Sequence, residues 1–255
     1  MALSAALGFG KALGIAALLT ADDFGRYSVL IAIALFLSPL PGLGLIEETR
    51  KLFPRMFVDG KIAEMAYRAD RIAGVVGLRT AALGLLGAAI FLLAGYELAA
   101  VIAASLTLVA FGASWCSIMA SALRAGTSPI LLGAASFARA ALTIPITLLA
   151  AHEYGLLGVL AGEALAAVAG GAIMRFAFRW RPQSEPIEQL PVVEAKASRD
   201  GMLVFYGTAL VSAPIYLSRS VAALSLTAAQ VGTLNFLLVF VAIFQTAIAI
   251  ADQVV

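Results

Sequence analysis

Histidine and cysteine are nearly missing from this sequence, with one of each in 255 residues. Cys116 therefore has no internal disulfide partner, and a His/Cys metal cluster cannot form. The glycine-rich loop ending in Lys-Ser/Thr that cradles phosphates is absent, so the chain does not hydrolyse ATP itself. No nucleophile–base constellation is present, and the sequence reads as a non-enzyme needing no cofactor. Charge is scarce as well: 13% of residues are Asp, Glu, Lys or Arg, about half the share in a soluble domain. No basic patch of the kind that grips nucleic acid exists. No polar stretch is long enough for a separate catalytic domain. Residues 1–20 lack the basic leader of a secretion signal, and Lys11 interrupts their apolar core, so they read as a retained first span.

What fills the sequence instead is hydrocarbon. Sixty-two per cent of residues are hydrophobic, and the mean hydropathy is +0.99. Apolar runs of about 20 residues recur along the whole length, the signature of an all-α polytopic membrane protein. Eight transmembrane helices are expected, at 3–20, 24–46, 72–95, 98–123, 130–151, 156–178, 202–218 and 231–250.

The links between these spans alternate in charge. Arg50, Lys51, Arg55, Lys61, Arg68, Arg71, Arg124, Arg179, Arg181, Lys196 and Arg199 fall on one side, and only Arg26 and Arg219 on the other. The positive-inside rule makes the richer side cytoplasmic, and with it the N-terminus. Residues 47–71 mix charge with Leu52, Phe53, Met56, Phe57 and Ile62; they read either as an amphipathic helix along the membrane surface or as a solvated loop. Residues 179–201 hold Pro182, Pro186 and Pro191 among alternating charges and read as a cytoplasmic linker.

A short pattern occurs twice. Thr20-Ala21-Asp22-Asp23-Phe24-Gly25 precedes the second span. Thr227-Ala228-Ala229-Gln230-Val231-Gly232 precedes the eighth, 207 positions later. Six spans separate the copies, so both point the same way through the membrane. That is a parallel repeat of the kind many transporters carry. The expected organisation is a six-helix bundle over 1–178, the linker over 179–201, and the first two helices of a second, parallel-repeat bundle over 202–255. By this reading the chain is C-terminally truncated.

Few side chains break the apolar pattern. Lys11, Arg79, Arg139 and Glu163 are the ionisable groups deep in spans. Each costs roughly 3 kcal/mol at the bilayer centre, so they are expected to face a bundle interior or a wet cavity. Three cations against one acid suit an anionic substrate such as a pyrophosphate. The structural alternative is that Arg79 snorkels to the cytoplasmic face while Arg139 pairs with Glu163. Pro39, Pro41 and Pro214 interrupt spans, as either hinges or helix ends. Asp22 and Asp23 are expected to cap the second span. Gly158, Gly162, Ala166 and Gly170 form a small-residue stripe facing a neighbouring helix. His152 lies in a short outer link, 152–155, where a solvated role outweighs a proton relay.

Gly8, Lys11 and Gly14 in the first span, the run Leu18-Leu19-Thr20-Ala21-Asp22-Asp23-Phe24-Gly25-Arg26-Tyr27, and Gly42-Leu43-Gly44 closing the second span resemble one known family. They are similar to the polysaccharide-biosynthesis, Wzx-like O-antigen flippases of the multidrug/oligosaccharidyl-lipid/polysaccharide superfamily. Thr20-Ala21 departs from that family's usual glycine-proline. The resemblance implies two bundles around a cationic cavity in the bacterial inner membrane, exporting a polyprenyl-pyrophosphate-linked oligosaccharide by alternating access beside polysaccharide-assembly proteins. Lys11, Arg79 and Arg139 would bind substrate, Glu163 would couple an ion, and Pro39, Pro41 and Pro214 would be hinges. A multidrug or small-solute antiporter of the same superfamily, and an integral-membrane enzyme acting on lipid-linked sugars, are the alternatives.

Overall fold

The computed structural model describes residues 2–126, 129–179 and 199–238, and these are helical throughout apart from short turns. The helices are α1 (Ala2–Leu18), α2 (Ala21–Leu37), α3 (Leu45–Val58), α4 (Ile62–Leu93), α5 (Glu97–Gly126), α6 (Pro129–Arg179) and α7 (Arg199–Ser225). An eighth, α8, is described over Ala228–Leu238. Four segments among the described residues are long and apolar enough to cross a membrane: Ala21–Gly42, Ile62–Leu93, Glu97–Gly126 and Ile130–Arg179. Shorter apolar helices cover Ala6–Leu18, Gly201–Val211 and Ala228–Leu238. The expected linker core, 180–198, and the second half of the expected eighth span lie outside the described residues.

Several boundaries differ from the sequence expectation, each for a local reason. The second span does not reach residue 46. Pro39 and Pro41 cannot donate the hydrogen bonds that would continue α2, so it stops at Leu37 and a 3₁₀ turn follows over Leu40–Gly42. Leu43 and Gly44 then take left-handed conformations that redirect the chain into α3. The proline break thus lies between two helices, whereas Pro214 stands inside α7. The amphipathic stretch is helical only over Leu45–Val58; it buries Leu45, Ile46, Phe53 and Met56 and exposes Arg50, Lys51 and Arg55. Residues 62–71 belong to α4, which starts ten residues before the expected span, helped by the i,i+4 pair Glu64–Arg68 at 2.7 Å.

The expected outer link at 152–155 is not a loop. Helical structure continues through His152, Glu153 and Tyr154, all exposed, and Gly155 alone reverses the chain with φ 58° and ψ −133°. Only glycine adopts that conformation without strain. The two arms of α6 therefore fold back on each other. The small-residue stripe faces its own first arm. A Cβ on Gly158 would strike the Ala150 carbonyl, and one on Gly162 would lie 2.9 Å from Cα of Thr147.

The N-cap of α2 is Thr20, two positions before the first of the expected acids. Its Oγ1 accepts from Asp23 N at 3.2 Å, leaving Asp22 and Asp23 in the first turn, where their charge opposes the helix dipole. The second copy of the pattern repeats the arrangement. Thr227 Oγ1 accepts from Gln230 N at 3.3 Å, and Gln230 Oε1 accepts from Thr227 N at 2.9 Å. The two capped turns touch: a Cβ on Gly25 would meet the Ala228 carbonyl, and one on Gly232 the Ala21 carbonyl. At the opposite end of α2, Gly44 packs on the Gly201–Met202 backbone at the start of α7.

Burial gathers into two large clusters and a small one of Ala34, Val109 and Ala164. Phe53, Met65, Ile118, Met119, Leu123, Met174 and Phe178 join α3, α4, α5 and the second arm of α6. Ile15, Leu19, Phe24, Val159 and Leu160 join α1 and α2 to the elbow of α6. Outside these clusters the surface is apolar. Leu78, Leu85 and Leu93 of α4 are 74%, 72% and 90% exposed. A face of that kind is a hazard in water and suits a lipid surrounding. Several hydroxyls within the helices turn back to the preceding turn, as Thr80 to the Val76 carbonyl at 2.7 Å and Thr107 to that of Ala103 at 2.7 Å, which satisfies these donors without water.

Candidate functional site

A cavity of about 330 Å³ opens between α1, α2, α5 and α6. Its polar lining comes from Lys11, Tyr27, Cys116, Arg139, Thr143 and Glu163, set among apolar residues such as Ile31, Leu35 and Val109. Close helix packing builds its walls. A Cβ on Gly112 of α5 would collide with Ala167 of α6, and one on Gly170 would lie 2.9 Å from Cδ of Arg139. The small-residue stripe thus both draws the arms of α6 together and makes a track for the Arg139 stem.

Glu163 is the hub. Lys11 Nζ lies 2.8 Å from each of its carboxylate oxygens, and Tyr27 Oη donates to Oε1 at 2.8 Å. The Lys11 and Glu163 side chains are only 21% and 13% exposed. In so apolar a surrounding the pair gains more from its attraction than it would in water, and the phenol satisfies a further lone pair. The acid does not pair with Arg139. Arg139 Nη1 instead donates to the Cys116 Sγ at 3.3 Å and has no carboxylate partner among the described residues. That contact supplies no carboxylate to balance the guanidinium. Two cations and one carboxylate give the cavity one net positive charge, concentrated at Arg139.

Arg79 stands apart from this group. Its Nη1 donates to the Pro41 carbonyl at 3.1 Å, at the turn after α2, and it does not line the cavity. Of the three cations expected to share one site, Lys11 and Arg139 line the cavity and Arg79 does not, because α4 carries it towards the α3 end of the molecule. The same bond pins the turn that holds Pro39 and Pro41. Pro214 lies in α7, exposed and away from the cavity lining.

Three arrangements were not anticipated from the sequence. Tyr27 sits in an apolar span, where a phenol reads as bulk, yet it completes the Glu163 site. Asp70 of α4 receives Arg175 Nε at 2.7 Å, Arg175 Nη2 at 3.1 Å and Arg179 Nη2 at 2.6 Å, tying α4 to the end of α6. Glu47 of α3 is buried beside a second cavity of about 270 Å³ between α2, α3, α5 and α7, and its Oε2 has no hydrogen-bond partner. Burial raises its carboxyl pKa above the ordinary range, opposed by its own backbone N–H and more weakly by Arg50. Its place in the first turn of a helix was the one available signal.

No protein-family model matches this sequence, and neither a curated protein nor a solved structure shows significant similarity to it.

Proposed function

We propose that this chain takes part in flipping an anionic lipid-linked glycan across the bacterial inner membrane. The substrate class is the polyprenyl-pyrophosphate-linked oligosaccharide implied by the resemblance to Wzx-like flippases. The observation that carries this reading is the cavity charge: Arg139 without a counter-ion among the described residues, beside a Lys11–Glu163 pair, in a body otherwise built to face hydrocarbon. A pyrophosphate supplies the missing anion, and a guanidinium grips it through paired hydrogen bonds. The polyprenyl tail stays in lipid. Lys11 joins the substrate by exchanging Glu163 for the phosphate oxygens. In this proposal eight helices cross the membrane, the N-terminus is cytoplasmic, and α7 and α8 belong to a second half. The Gly25–Gly232 contact then closes the outer end, and alternating access requires it to part.

A second reading is a small-solute antiporter, favoured by the full engagement of Glu163. A carboxylate that holds a lysine and a phenol releases both on protonation, which is how an ion gradient would be coupled to the same cavity. One experiment separates the two. The purified chain in neutral detergent is titrated with a fluorescent polyprenyl-pyrophosphate disaccharide and with the uncharged polyprenol. The flippase reading expects the pyrophosphate to bind and Arg139→Gln to weaken it by about tenfold or more, the worth of a charge-assisted bond. Equal binding of both lipids, or no effect of Arg139→Gln, would overturn it.

A further inference from the structure

A groove of about 360 Å³ lies between α3 and α5, at the opposite end of the molecule from the Gly25–Gly232 contact. Arg50, Pro54 and Phe57 line it from one face of α3, at i, i+4 and i+7, with Val58 at its rim. Ser121, Arg124 and Ala125 line it from one face of α5, at i, i+3 and i+4. Each wall carries one arginine, and neither wall carries an acid.

These two cations differ from their neighbours. Arg68 is paired with Glu64, and Arg175 and Arg179 share Asp70. Arg50 and Arg124 are exposed and have no carboxylate partner among the described residues. Arg50 also stands one turn from the buried Glu47, both lining the cavity between α2, α3, α5 and α7, but the two form no ion pair. Two guanidinium groups facing one groove repel unless an anion lies between them. The rest of the lining is apolar: Pro54, Phe57 and Val58, the last 84% exposed. A free inorganic anion has no use for that wall, whereas an amphiphile with a phosphate head and a hydrocarbon tail uses both parts. The helix that supplies it is amphipathic, with a buried apolar side and an exposed basic one, as in segments that lie at a membrane surface.

We propose that this groove is a binding site for an anionic phospholipid, whose phosphodiester sits between Arg50 and Arg124 while an acyl chain lies along Phe57 and Val58. Ser121, on the same wall as Arg124, donates its hydroxyl to the Ser117 carbonyl at 2.9 Å and leaves the anion to the two arginines. The site is distinct from the Lys11–Glu163 cavity and stands or falls independently of the transport reading; it rests on the chain being a membrane protein. Its occupant would hold α3 against α5 and fix the turn that leads out of α2.

The test uses the full chain purified in neutral detergent, titrated with short-chain phosphatidylglycerol, with phosphatidylcholine of the same chain length, and with inorganic phosphate. The expected result is binding of phosphatidylglycerol alone. Arg50→Gln and Arg124→Gln each weaken it by about fivefold, the worth of one basic residue at an anionic lipid surface. Arg55→Gln, on α3 but off the groove, changes it less than about twofold, within ordinary surface scatter. Far-UV circular dichroism confirms that each variant keeps its helices. Equal losses from Arg55→Gln and Arg50→Gln would reduce the effect to diffuse surface charge and overturn the site. Equally tight binding of inorganic phosphate would overturn the lipid assignment, and so would equal binding of phosphatidylcholine or no binding at all.

Discussion

Gly25 and Gly232 hold equivalent places in the two copies of the Thr-capped pattern, and each lies against the first turn of the other's helix. The contact is reciprocal: Gly25 faces the Ala228 carbonyl, and Gly232 faces the Ala21 carbonyl. Self-complementary contacts of this form are what a two-fold relation between similar parts produces. Small residues allow it, because any side chain would hold the backbones apart.

Gly25→Ala and Gly232→Ala are therefore each expected to cost about 1–3 kcal/mol, the range for overpacking a close contact. The double variant should cost less than the two together, since one displacement relieves both clashes. Gly87→Ala in α4 is the control: nothing lies within 4 Å of its added Cβ. It should gain roughly 0.5–1 kcal/mol from lower backbone entropy in the unfolded chain. Thermal unfolding of the purified variants in detergent decides the matter. Equal behaviour at positions 25 and 87 would remove the contact.

At the Glu163 hub the three partners are expected to be unequal. Glu163→Gln strands Lys11 in a mostly buried place and should cost about 3 kcal/mol, whereas Tyr27→Phe removes one hydrogen bond and should cost about 1 kcal/mol. Lys11→Met combined with Glu163→Gln should be less damaging than Lys11→Met alone, because no buried charge is then left unpaired. A double-mutant cycle read by thermal unfolding measures this. Additive losses would mean that Lys11 and Glu163 do not interact.

The sequence made the class of fold readable because composition alone decides it: hydrocarbon runs of this length have no other stable outcome than helices with their backbone bonds satisfied internally. It also showed which residues are too costly to face lipid, so Lys11, Arg139 and Glu163 could be singled out one by one. Their grouping was not legible. Glu163 meets Lys11, 152 residues away, because α1 packs on α6, and no local pattern encodes that neighbour. Arg79 looked equivalent to Arg139 until the turn at Pro41 offered it a carbonyl. The chain reversal falls inside the expected link 152–155, but its form was hidden: a polar tetrapeptide resembles a loop, while the actual reversal needs only Gly155 with a positive φ.

Asp70 joins α4 to the end of α6 through two arginines, and its loss should be modest. The Arg175 and Arg179 side chains are 41% and 55% exposed, so water screens them. Asp70→Asn is expected to cost about 1 kcal/mol in dilute buffer, near the upper end for exposed pairs. The cost should shrink in 1 M salt, where the screening length falls to roughly 3 Å. Unfolding midpoints at the two salt concentrations check this. A loss that does not change with salt would point to packing rather than charge.

Glu47 gives the protein a pH dependence of a defined sign. Its folded pKa is raised above the ordinary glutamate value, chiefly by burial, with its own backbone N–H and then Arg50 pulling the other way. The folded state therefore prefers the neutral acid. The stability this contributes is fully present below the unfolded pKa and is lost as pH rises through the folded one. Glu47→Gln keeps the neutral form at every pH, so it should match the parent at pH 4 and be more stable than it at pH 7. The gain is bounded by about 1–3 kcal/mol, the penalty for a buried group left unsatisfied. Arg50→Gln should steepen the parent's decline between those pH values, because it removes the charge that lowers the Glu47 pKa. Unfolding midpoints from pH 4 to pH 8 for the parent and both variants test the sign directly. A Glu47→Gln chain less stable than its parent at pH 7 would mean that the carboxylate is held by a partner and that its buried oxygen is not alone.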